Sequence, residues 1–309
     1  MRLTFKKKCI ACFLVLLVFL FACNKRITDA VETAPTVVLP GFGQENTLEI
    51  ASWNIERFPL QGDVTVDKVA EIMLDLDIDI YAVEEIVSES EMAVLIDSLN
   101  SADTLAGYDY RLNQFANDIK TGIVFKSSIL TLLSETVLFN GDSDFAGRPP
   151  YVLKLRTTKN GKSFDFTLIV LHLKAFGDQQ SEDRRRRSIQ KLADFVTAQL
   201  QNPANDPDYI IAGDWNDELD DPANDNVFLP FLQDSLHYRF LTQSFLGDPN
   251  EYSFIDGFES LIDHILITTS VDSTYPGHTT EILKIDEEVN QYIPQVSDHR
   301  PVAAKFPIF

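Results

Sequence analysis

Cysteine is nearly absent from this chain of 309 residues, and its three cysteines, Cys9, Cys12 and Cys23, all lie near the N-terminus. The rest of the chain therefore has no pair of thiols that could form an intramolecular disulfide. Positive charge is also scarce, since 26 basic residues face 47 acidic ones and the net charge is -21. This balance excludes a broad basic face, so a polyanionic substrate would have to be captured by metal ions and a few basic side chains.

Long hydrophobic runs are confined to the N-terminus. Residues 9–22 form an apolar stretch behind a basic segment that contains Arg2 and the lysine run 6–8, an order that is typical of an export signal. The stretch is too short for a comfortable membrane span. The string LFAC, which ends at Cys23, resembles the bacterial lipobox. It implies a signal peptide over 1–22, acylation of Cys23 and a lipid-anchored protein exported to the cell envelope or surface; a plain N-terminal anchor helix is the alternative.

Residues 23–47 lack periodicity and are rich in threonine, proline and polar residues, which predicts a tether. From 48 to 309, short apolar runs alternate with amphipathic stretches. Helices are predicted at 66–76, 89–100 and 181–201. Strands are predicted in LEIASWNIE, DIYAVEE, TGIVFK, YVLKL, FDFTLIVLHLK, DYIIAGDW, SLIDHILIT and PVAAKF. Strands that alternate with helices but include hairpin-like pairs predict an α/β sandwich in which helices cover mixed sheets.

Four short strings place acid, amide or imidazole groups beside strand-like apolar runs: VEEI at 83–86, LHLKA at 171–175, GDWND at 213–217 and SDHRP at 297–301. In VEEI, Glu85 ends an apolar strand and could hold a hard divalent cation, which prefers oxygen ligands. Regular strand alternation sends neighbouring side chains to opposite faces. One of Glu84 and Glu85 is therefore expected to face a cleft and the other to point away.

In GDWND, alternation places Asp214 and Asn216 on one side, where an acid and an amide could orient water and bind a phosphoryl oxygen. In SDHRP, His299 carries the one side chain that titrates near neutral pH, which suits a general base. Such a base works best when a carboxylate holds its second ring nitrogen, and Asp263 is the candidate partner. The adjacent His264 should point to the other face of its strand and is expected to be structural.

LHLKA offers His172 and Lys174 on one side of a strand, where both could stabilise the charge that builds on a phosphate oxygen. The basic run 184–187 could assist a polyanionic substrate. Four consecutive residues spread around a helix, however, so only one or two of them can face a cleft.

The strings, in their order along the chain, resemble those of the endonuclease/exonuclease/phosphatase superfamily, which includes DNase I, abasic-site exonucleases, neutral sphingomyelinases and inositol polyphosphate 5-phosphatases. The resemblance covers residues 48–309 and begins at SWNIE, which is similar to the opening metal-site strand of the family. VEEI leaves Glu84 in the position of a family glutamine, and Glu56 stands where many relatives carry aspartate. FAGRPPY resembles a segment of the DNase I branch. The implied fold is a four-layer α/β sandwich of two packed mixed β-sheets flanked by helices.

The resemblance also implies roles for individual residues. These are metal binding by Glu85, Glu56, Asn54 and Asp298, catalysis by His299, Asp263, Asp214, Asn216 and His172, and substrate binding by Arg148, to which the position of Lys174 in LHLKA adds a second candidate phosphate contact. The expected chemistry is hydrolysis of a phosphate ester by in-line attack of water with Mg2+ or Mn2+, and with Ca2+ as a further option. Whether His299 or Asp214 takes the proton stays open.

The leading functional hypothesis is a cell-surface or secreted nuclease that cleaves DNA or RNA, because FAGRPPY is DNase-like and the N-terminus predicts export. One alternative is a lipid- or inositol-phosphate-directed phosphodiesterase or phosphatase. It would need an apolar docking loop, and the one candidate, 227–254, carries apolar residues that are expected to be core. Another alternative is a surface binding protein of the same fold that has lost catalysis. No obligate protein partner is evident from the sequence.

Overall fold

The computed structural model describes residues 38–309. The predicted signal peptide, Cys23 and the first part of the predicted tether lie outside the described residues. Strands β1 to β12 are Leu48–Phe58, Ile80–Ile86, Tyr108–Leu112, Lys120–Lys126, Leu130–Val137, Tyr151–Lys159, Lys162–His172, Tyr209–Asp214, Tyr238–Phe240, Asp263–Thr268, Thr279–Ile282 and Val302–Phe306. Helices α1 to α6 are Asp63–Leu76, Glu89–Ala102, Gln179–Leu200, Leu229–Leu232, Thr269–Thr274 and Tyr292–Gln295.

The strands form two mixed sheets of six strands each. The first has the order β11-β12-β1-β2-β4-β3, and the second has the order β5-β6-β7-β8-β10-β9. Each sheet contains one parallel pair, β1 with β2 and β7 with β8, and its other neighbours are antiparallel. The helices that follow β1 and β7, α1 and α3, are the crossovers that such parallel pairs require.

The core is divided into three layers by the two sheets. Alternate strand residues such as Ile50, Ala82, Leu168 and Ile210 fill the space between the sheets. Helices α1 and α2 pack their apolar sides on the first sheet, and α3 and α4 cover the second. This arrangement confirms the predicted four-layer α/β sandwich.

All eight predicted strands and all three predicted helices are present, with boundaries shifted by a few residues. The four strands that the sequence pattern did not predict are β3, β5, β9 and β11. They are the edge strands of the two sheets. Edge strands bury less of each side chain, and β5 is mostly exposed, so the apolar signal in their sequences is weak.

The described end of the predicted tether packs against α1. Leu39 and Phe42 are each only 4% exposed. The backbone amide of Leu39 donates to the Asp75 carboxylate at 2.8 Å, and that of Phe42 donates to the carbonyl of Leu76 at 2.9 Å. Residues 38–47 are therefore part of the folded domain, because two apolar side chains in this segment find a place in the core. No helix within 38–309 combines the length and the apolar character needed to cross a membrane.

Candidate active site

The two parallel strand pairs bring their carboxyl ends together at one edge of the sandwich. Asn54, where the regular pairing of β1 with β2 breaks, donates to Asp214 at the end of β8, with 3.2 Å between Nδ2 and Oδ2. His172 ends β7 and lies beside Asp214 in the parallel register. Its Nε2 is 3.4 Å from Asp214 Oδ2 and 3.8 Å from Glu85 Oε1, at the end of β2. Residues from four distant parts of the chain thus share one site, which we call the catalytic cleft.

His299 and Asp263 form a buried pair in this cleft. Asp263 begins β10 directly opposite Asp214 in the antiparallel register, and its Oδ2 lies 2.7 Å from His299 Nδ1. Asp263 is 0% exposed and His299 is 5% exposed. The ring of Phe254 packs edge-on against the imidazole, with 5.2 Å between centroids, and Ser297 Oγ accepts the backbone N–H of His299 at 2.9 Å. The predicted partnership is therefore present.

The electrostatics of the pair favour an imidazolium. Burial alone would lower the pKa of His299, but the charge and hydrogen bond of Asp263, with help from Asp214 and Asp298, raise it to about 10. His299 Nε2 makes no hydrogen bond within the described residues and lies 4.0 Å from Asp214 Oδ2 and 3.8 Å from Asp298 Oδ1. A charged ring with one free N–H can donate to a phosphate oxygen, but it cannot accept a proton.

Asp214 is held on several sides. Its Oδ1 accepts the backbone N–H of Asn216 at 2.9 Å, and the amide of Asn54 holds Oδ2. Burial and the charge of Asp263 raise the pKa of Asp214 to about 7. Asn216 follows the end of β8 with a positive φ of 55°, so the turn after the strand, rather than strand alternation, sets its position. Its Nδ2 donates to the carbonyl of Leu173 at 3.2 Å.

Three further carboxylates, of Glu56, Glu85 and Asp298, crowd the rim of the cleft. Burial and then the charges of Asp298 and Glu85 raise the pKa of Glu56 to about 7. The pKa of Asp298 is raised by burial, with Glu85 contributing. Carboxylates that repel one another in a half-buried site fit a hard divalent cation, because the cation would neutralise them with the oxygen ligands it prefers.

Two other observations bear on where a cation would lie. Ligand atoms of Asp214, Asp263 and His299 also lie within 4.8 Å of one another. That cluster includes an imidazole that is already paired with Asp263 at 2.7 Å, whereas Glu56, Glu85 and Asp298 offer only oxygen ligands, the donors that a hard divalent cation prefers. Asn54, which the family resemblance implies as a ligand, accepts the backbone N–H of Glu56 on its amide oxygen at 3.0 Å, which leaves the second lone pair of that oxygen available.

Glu84 does not point away from the cleft, as regular alternation predicted. Glu85 has a positive φ of 62°, and the pairing of β2 shifts register between Val83 and Ile86. This local break brings both glutamates to the cleft side. Glu84 is 0% exposed, and burial followed by the charges of Asp263 and Asp214 raises its pKa well above the usual range. Glu84 is therefore a neutral acid beneath the site, in the position of a family glutamine.

The cationic side of the cleft is formed by Arg148 and its neighbours. Arg148 donates through Nη2 to the carbonyl of Leu173 at 2.6 Å, while its buried Nε has no partner among the described residues. His172 is neutral, because burial and then the charge of Arg148 lower its pKa well below the usual range. Lys174 departs from the prediction, since β7 ends at His172. Its Nζ lies 4.0 Å from the ring centroid of Phe176, and its charge is one of those that lower the pKa of His172.

His264 is structural, as expected. It is fully buried, and its ring nitrogens lie 2.8 Å from Thr242 Oγ1 and 3.0 Å from the carbonyl oxygen of Asp217. Burial lowers its pKa to about 4. The ring therefore stays neutral and locks β10 to neighbouring segments.

The basic run 184–187 is divided among four partners. Arg185 pairs with buried Asp217, Arg186 with Glu182, and Arg187 with Asp144. Arg184 donates to the carbonyl of Ser143 and lines a cavity beside the Arg148 loop. Three of the four arginines are thus paired with acids, and Arg184 is the one that forms no such pair within 38–309.

Comparison with known proteins agrees with this geometry. A model of the endonuclease/exonuclease/phosphatase family matches residues 51–299. The chain belongs to this family. Its members are phosphoester hydrolases that use divalent metals, so phosphoester hydrolysis is the chemistry that the site supports. A comparison with curated proteins finds no significant match.

Several solved structures share the fold of this family member. TDP2 from D. rerio, complexed with a single strand DNA product, is 15% identical with a TM-score of 0.60, over 84% of this chain and 98% of that chain. A family protein from Bacteroides thetaiotaomicron is 16% identical with a TM-score of 0.59, over 85% and 98%. The mannosyl-6-phosphatase Bt3783 from the same species is 16% identical with a TM-score of 0.57, over 84% and 99%.

Sequence reasoning missed the residues that position the site. Ser297 Oγ donates to the carbonyl of Asn54 at 2.6 Å and so ties the SDHRP loop to β1. Tyr292 donates to the carbonyl of His299 and accepts from the indole of Trp53 at 3.0 Å. The serine in SDHRP was a visible signal next to the catalytic residues, whereas nothing in the local sequence marks Tyr292.

Proposed function

We propose that this protein is a divalent-metal-dependent phosphodiesterase that cleaves nucleic acid. The observation that carries the proposal is the convergence of the His299–Asp263 pair, buried Asp214, the rim carboxylates and Arg148 on one cleft. The distances that join His299 and His172 to the surrounding carboxylates of Asp214, Asp263, Asp298 and Glu85 are 2.7 to 4.0 Å, so these groups lie within reach of one phosphate group. An ion-paired histidine beside a buried acid whose pKa is raised is an arrangement typical of catalytic sites.

Each side chain has a defined task in this mechanism. A divalent cation, held by Glu85 and Glu56 with Asp298 nearby, would neutralise charge on the phosphate and its leaving oxygen. Asp214 is oriented by Asn54 and by the backbone of Asn216, and it takes the proton from the attacking water. Its carboxylate suits this role because its pKa of about 7 lies close to the operating pH.

The opposite side of the cleft stabilises the charged transition state. His299, held as an imidazolium by Asp263, donates through Nε2 to a phosphate oxygen. Arg148 offers its unpartnered Nε–H to another oxygen, and charge-assisted hydrogen bonds of this kind are stronger than neutral ones. This division of roles assigns the base function to Asp214 rather than to His299, between which the sequence left the choice open.

Nucleic acid is the favoured substrate class for two reasons. The Arg148 loop carries the DNase-like string FAGRPPY, and the similar TDP2 structure is a complex with a single strand DNA product. A sugar phosphate monoester is the second candidate, because another similar structure is a mannosyl-6-phosphatase. A lipid-directed enzyme is less favoured, because it would need an apolar docking loop and the candidate segment, 227–254, has largely buried apolar residues. Phe228, Phe231 and Phe240 are at most 3% exposed.

We further propose that the enzyme works outside the cytoplasm, anchored by a lipid on Cys23. The basic start, the apolar stretch and the LFAC string support this proposal, and removal of the signal would take the net charge from -21 to -25. Metabolic labelling with a radioactive fatty acid tests it. Label in the wild-type chain and none in Cys23→Ala is the expected result, and equal label in both would contradict it.

Substrate class is tested by turnover of the purified protein with Mg2+, Mn2+ or EDTA. The panel contains bis(p-nitrophenyl) phosphate, DNA, RNA, mannose 6-phosphate, sphingomyelin and inositol phosphates. We expect metal-dependent cleavage of the diester probe and of DNA or RNA. Release of phosphate from the sugar monoester alone would replace the nuclease proposal, and no turnover of any substrate would support the silent binding protein.

A further inference from the structure

The described chain exposes only three of its phenylalanine, tyrosine and tryptophan rings, and all three lie on loops that adjoin the loops of the catalytic cleft. Phe115, Phe176 and Phe258 are 59%, 73% and 70% exposed, whereas the other phenylalanine, tyrosine and tryptophan residues of 38–309 are buried or partly buried. Exposed rings are unfavourable in water and mark interaction sites when they group on one side of a molecule. Their shared location therefore needs a functional explanation.

Phe176 lies on the loop that follows His172, and Phe258 lies on the loop that leads to Asp263. Phe176 follows His172 by four positions, and buried Arg185 fixes its loop by donating to the carbonyls of Lys174 and Phe176 at 2.8 Å each. The ring of Phe258 packs on Phe254, with 5.3 Å between centroids, and Phe254 contacts His299. Both exposed rings are thus held beside the reacting centre by ordered contacts.

Phe115 reaches the cleft through the loop between β3 and β4. Asn113 Nδ2 donates to the carbonyl of Pro149 at 2.7 Å, and the backbone N–H of Asn117 donates to the carbonyl of Gly147 at 2.9 Å. Gly147 has a φ of 78°, and a Cβ there would lie 2.1 Å from the amide of Asn117. The positive φ favours glycine at this position, and the backbone contact joins the Phe115 loop to the loop that carries Arg148.

These two loops enclose a cavity beside Arg148. It has a volume of about 360 Å³ and is lined by Phe115, Asn117, Gly147 and Arg184, among others, and by Asp142, whose carboxylate pairs with Lys191 at 2.5 Å. The Asn117 side chain is exposed and makes no hydrogen bond with another described residue. An aromatic face, a free amide and a guanidinium are the groups that bind an unstacked nucleobase by stacking and by hydrogen bonds to its edge.

The cations around this cavity are free of acidic partners. Arg148, Lys174 and Arg184 each donate to a backbone carbonyl, and within 38–309 none of them forms an ion pair with a carboxylate. Lys174 lies over the ring of Phe176. In a chain of net charge -21, this cluster is a local positive site interleaved with aromatic rings. Such a combination is complementary to a phosphate backbone whose bases are unpaired.

We propose that the rings of Phe115 and Phe176, with Asn117 and Arg184, form a base-binding subsite that makes the enzyme selective for single-stranded nucleic acid. One nucleotide next to the cleaved phosphate inserts its base into the cavity at Phe115, while Phe176 supports its neighbour. A duplex keeps its bases stacked and paired, so it cannot use these rings. This inference rests on the proposed phosphodiesterase function and adds the strandedness of the substrate to it.

The test compares a fluorescent single-stranded oligonucleotide, its blunt duplex and bis(p-nitrophenyl) phosphate as substrates of the full chain. The variants Phe115→Ala and Phe176→Ala are compared with the control variants Leu105→Ala and Leu236→Ala. The two leucine side chains are 87% and 81% exposed, and these residues lie just before β3 and β9 instead of beside the cleft. The wild type should prefer the single strand by at least about tenfold in kcat/KM. Each phenylalanine variant should lower its ratio of oligonucleotide to diester kcat/KM by about fivefold to a hundredfold, the range of base–aromatic stacking.

Several results would overturn the inference. Equal or faster cleavage of the duplex would do so, as would phenylalanine variants whose selectivity matches that of the leucine variants. Turnover of bis(p-nitrophenyl) phosphate without cleavage of any oligonucleotide would refute the subsite but leave the phosphodiesterase intact. No turnover at all would refute the proposed function itself.

A binding measurement tests the subsite without turnover. Fluorescence anisotropy of the labelled single strand in EDTA should show weaker binding by Phe115→Ala and Phe176→Ala, and affinity equal to wild type would overturn the inference. Binding to phosphatidylglycerol vesicles that is lost in the same variants would also overturn it, since it would assign the rings to a membrane surface.

Discussion

Replacement of Asp263 by asparagine is the sharpest perturbation of the catalytic pair. The change removes one negative charge and keeps the size of a side chain that is 0% exposed and 2.7 Å from His299 Nδ1. An amide can still bond to the ring, but it offers no charge to stabilise the imidazolium. The variant therefore isolates the electrostatic role of Asp263 from its packing role.

The size of the electrostatic effect of Asp263 follows from the pKa of His299. Burial lowers this pKa and the surrounding acids raise it, to a net value of about 10 against an ordinary 6.5. Each pKa unit is about 1.4 kcal/mol, so the protein favours the imidazolium by about 5 kcal/mol. Because Asp263 makes the largest contribution that raises the pKa, its neutralisation should leave burial dominant. His299 would then be neutral at pH 7 and would no longer act as a charged donor.

The assay is kcat for bis(p-nitrophenyl) phosphate at saturating metal between pH 5 and 9. We expect Asp263→Asn to lower kcat by about two to four orders of magnitude. Nuclear magnetic resonance titration of the ring should show His299 charged through pH 8 in the wild type and neutral at pH 7 in the variant. Asp79→Asn is the control, since Asp79 is equally buried at 2% exposed but precedes β2, at the end opposite Glu85. A variant kcat within about threefold of wild type, or an unchanged ring titration, would refute the reasoning.

Other predictions test the metal site, the phosphate contact and the fold. The affinity for Mg2+ should rise by up to about tenfold per pH unit between pH 6 and 7. Burial and then the charges of Asp298 and Glu85 raise the pKa of Glu56 to about 7, and this carboxyl group must lose its proton before it binds the cation. An affinity that calorimetry shows to be independent of pH would contradict this prediction. Arg148→Lys should lower kcat/KM about tenfold or more, since a lysine cannot reproduce the guanidinium contacts, and a rate equal to wild type would remove Arg148 from the site. Burial, followed by the charge of Asp79, raises the pKa of Glu49 from 4.5 to about 8. The protonated carboxyl group of Glu49 therefore stabilises the folded state fully below pH 4.5, and this stabilisation is lost as the pH rises through 8. Glu49→Gln should flatten that decline in the free energy of unfolding measured with urea, whereas an unchanged slope would show that another group causes it.

The sequence predicted the interior of the fold and the main side chains of the cleft for a physical reason. Central strands are buried on both faces and therefore read as apolar runs, and the polar residues that end them stand out. Asp214, His172 and Glu85 are residues of this kind, each at or next to the end of a strand. Edge strands such as β5 carry no such pattern, because solvent covers much of their surface.

The errors arose where the backbone departs from regular geometry. Glu85 and Asn216 both have positive φ values. Neither residue is a glycine, so the sequence does not indicate that the backbone is irregular at these positions. The prediction therefore applied regular strand alternation at Glu84, where the strand is irregular, and at Lys174, which lies beyond the end of β7. Contacts between distant loops, such as that between Asn113 and Pro149, depend on the assembled sandwich and leave no local signal.

The most direct test of the account is the rate at which the purified full chain hydrolyses bis(p-nitrophenyl) phosphate, with Mg2+ or Mn2+ and then with EDTA, in the wild type and in Asp214→Ala. The account predicts turnover that EDTA abolishes and added metal restores, and a loss of at least about two orders of magnitude in the variant. Turnover that ignores EDTA, or an Asp214→Ala rate close to wild type, would contradict a metal-assisted hydrolytic site at the ends of these strands.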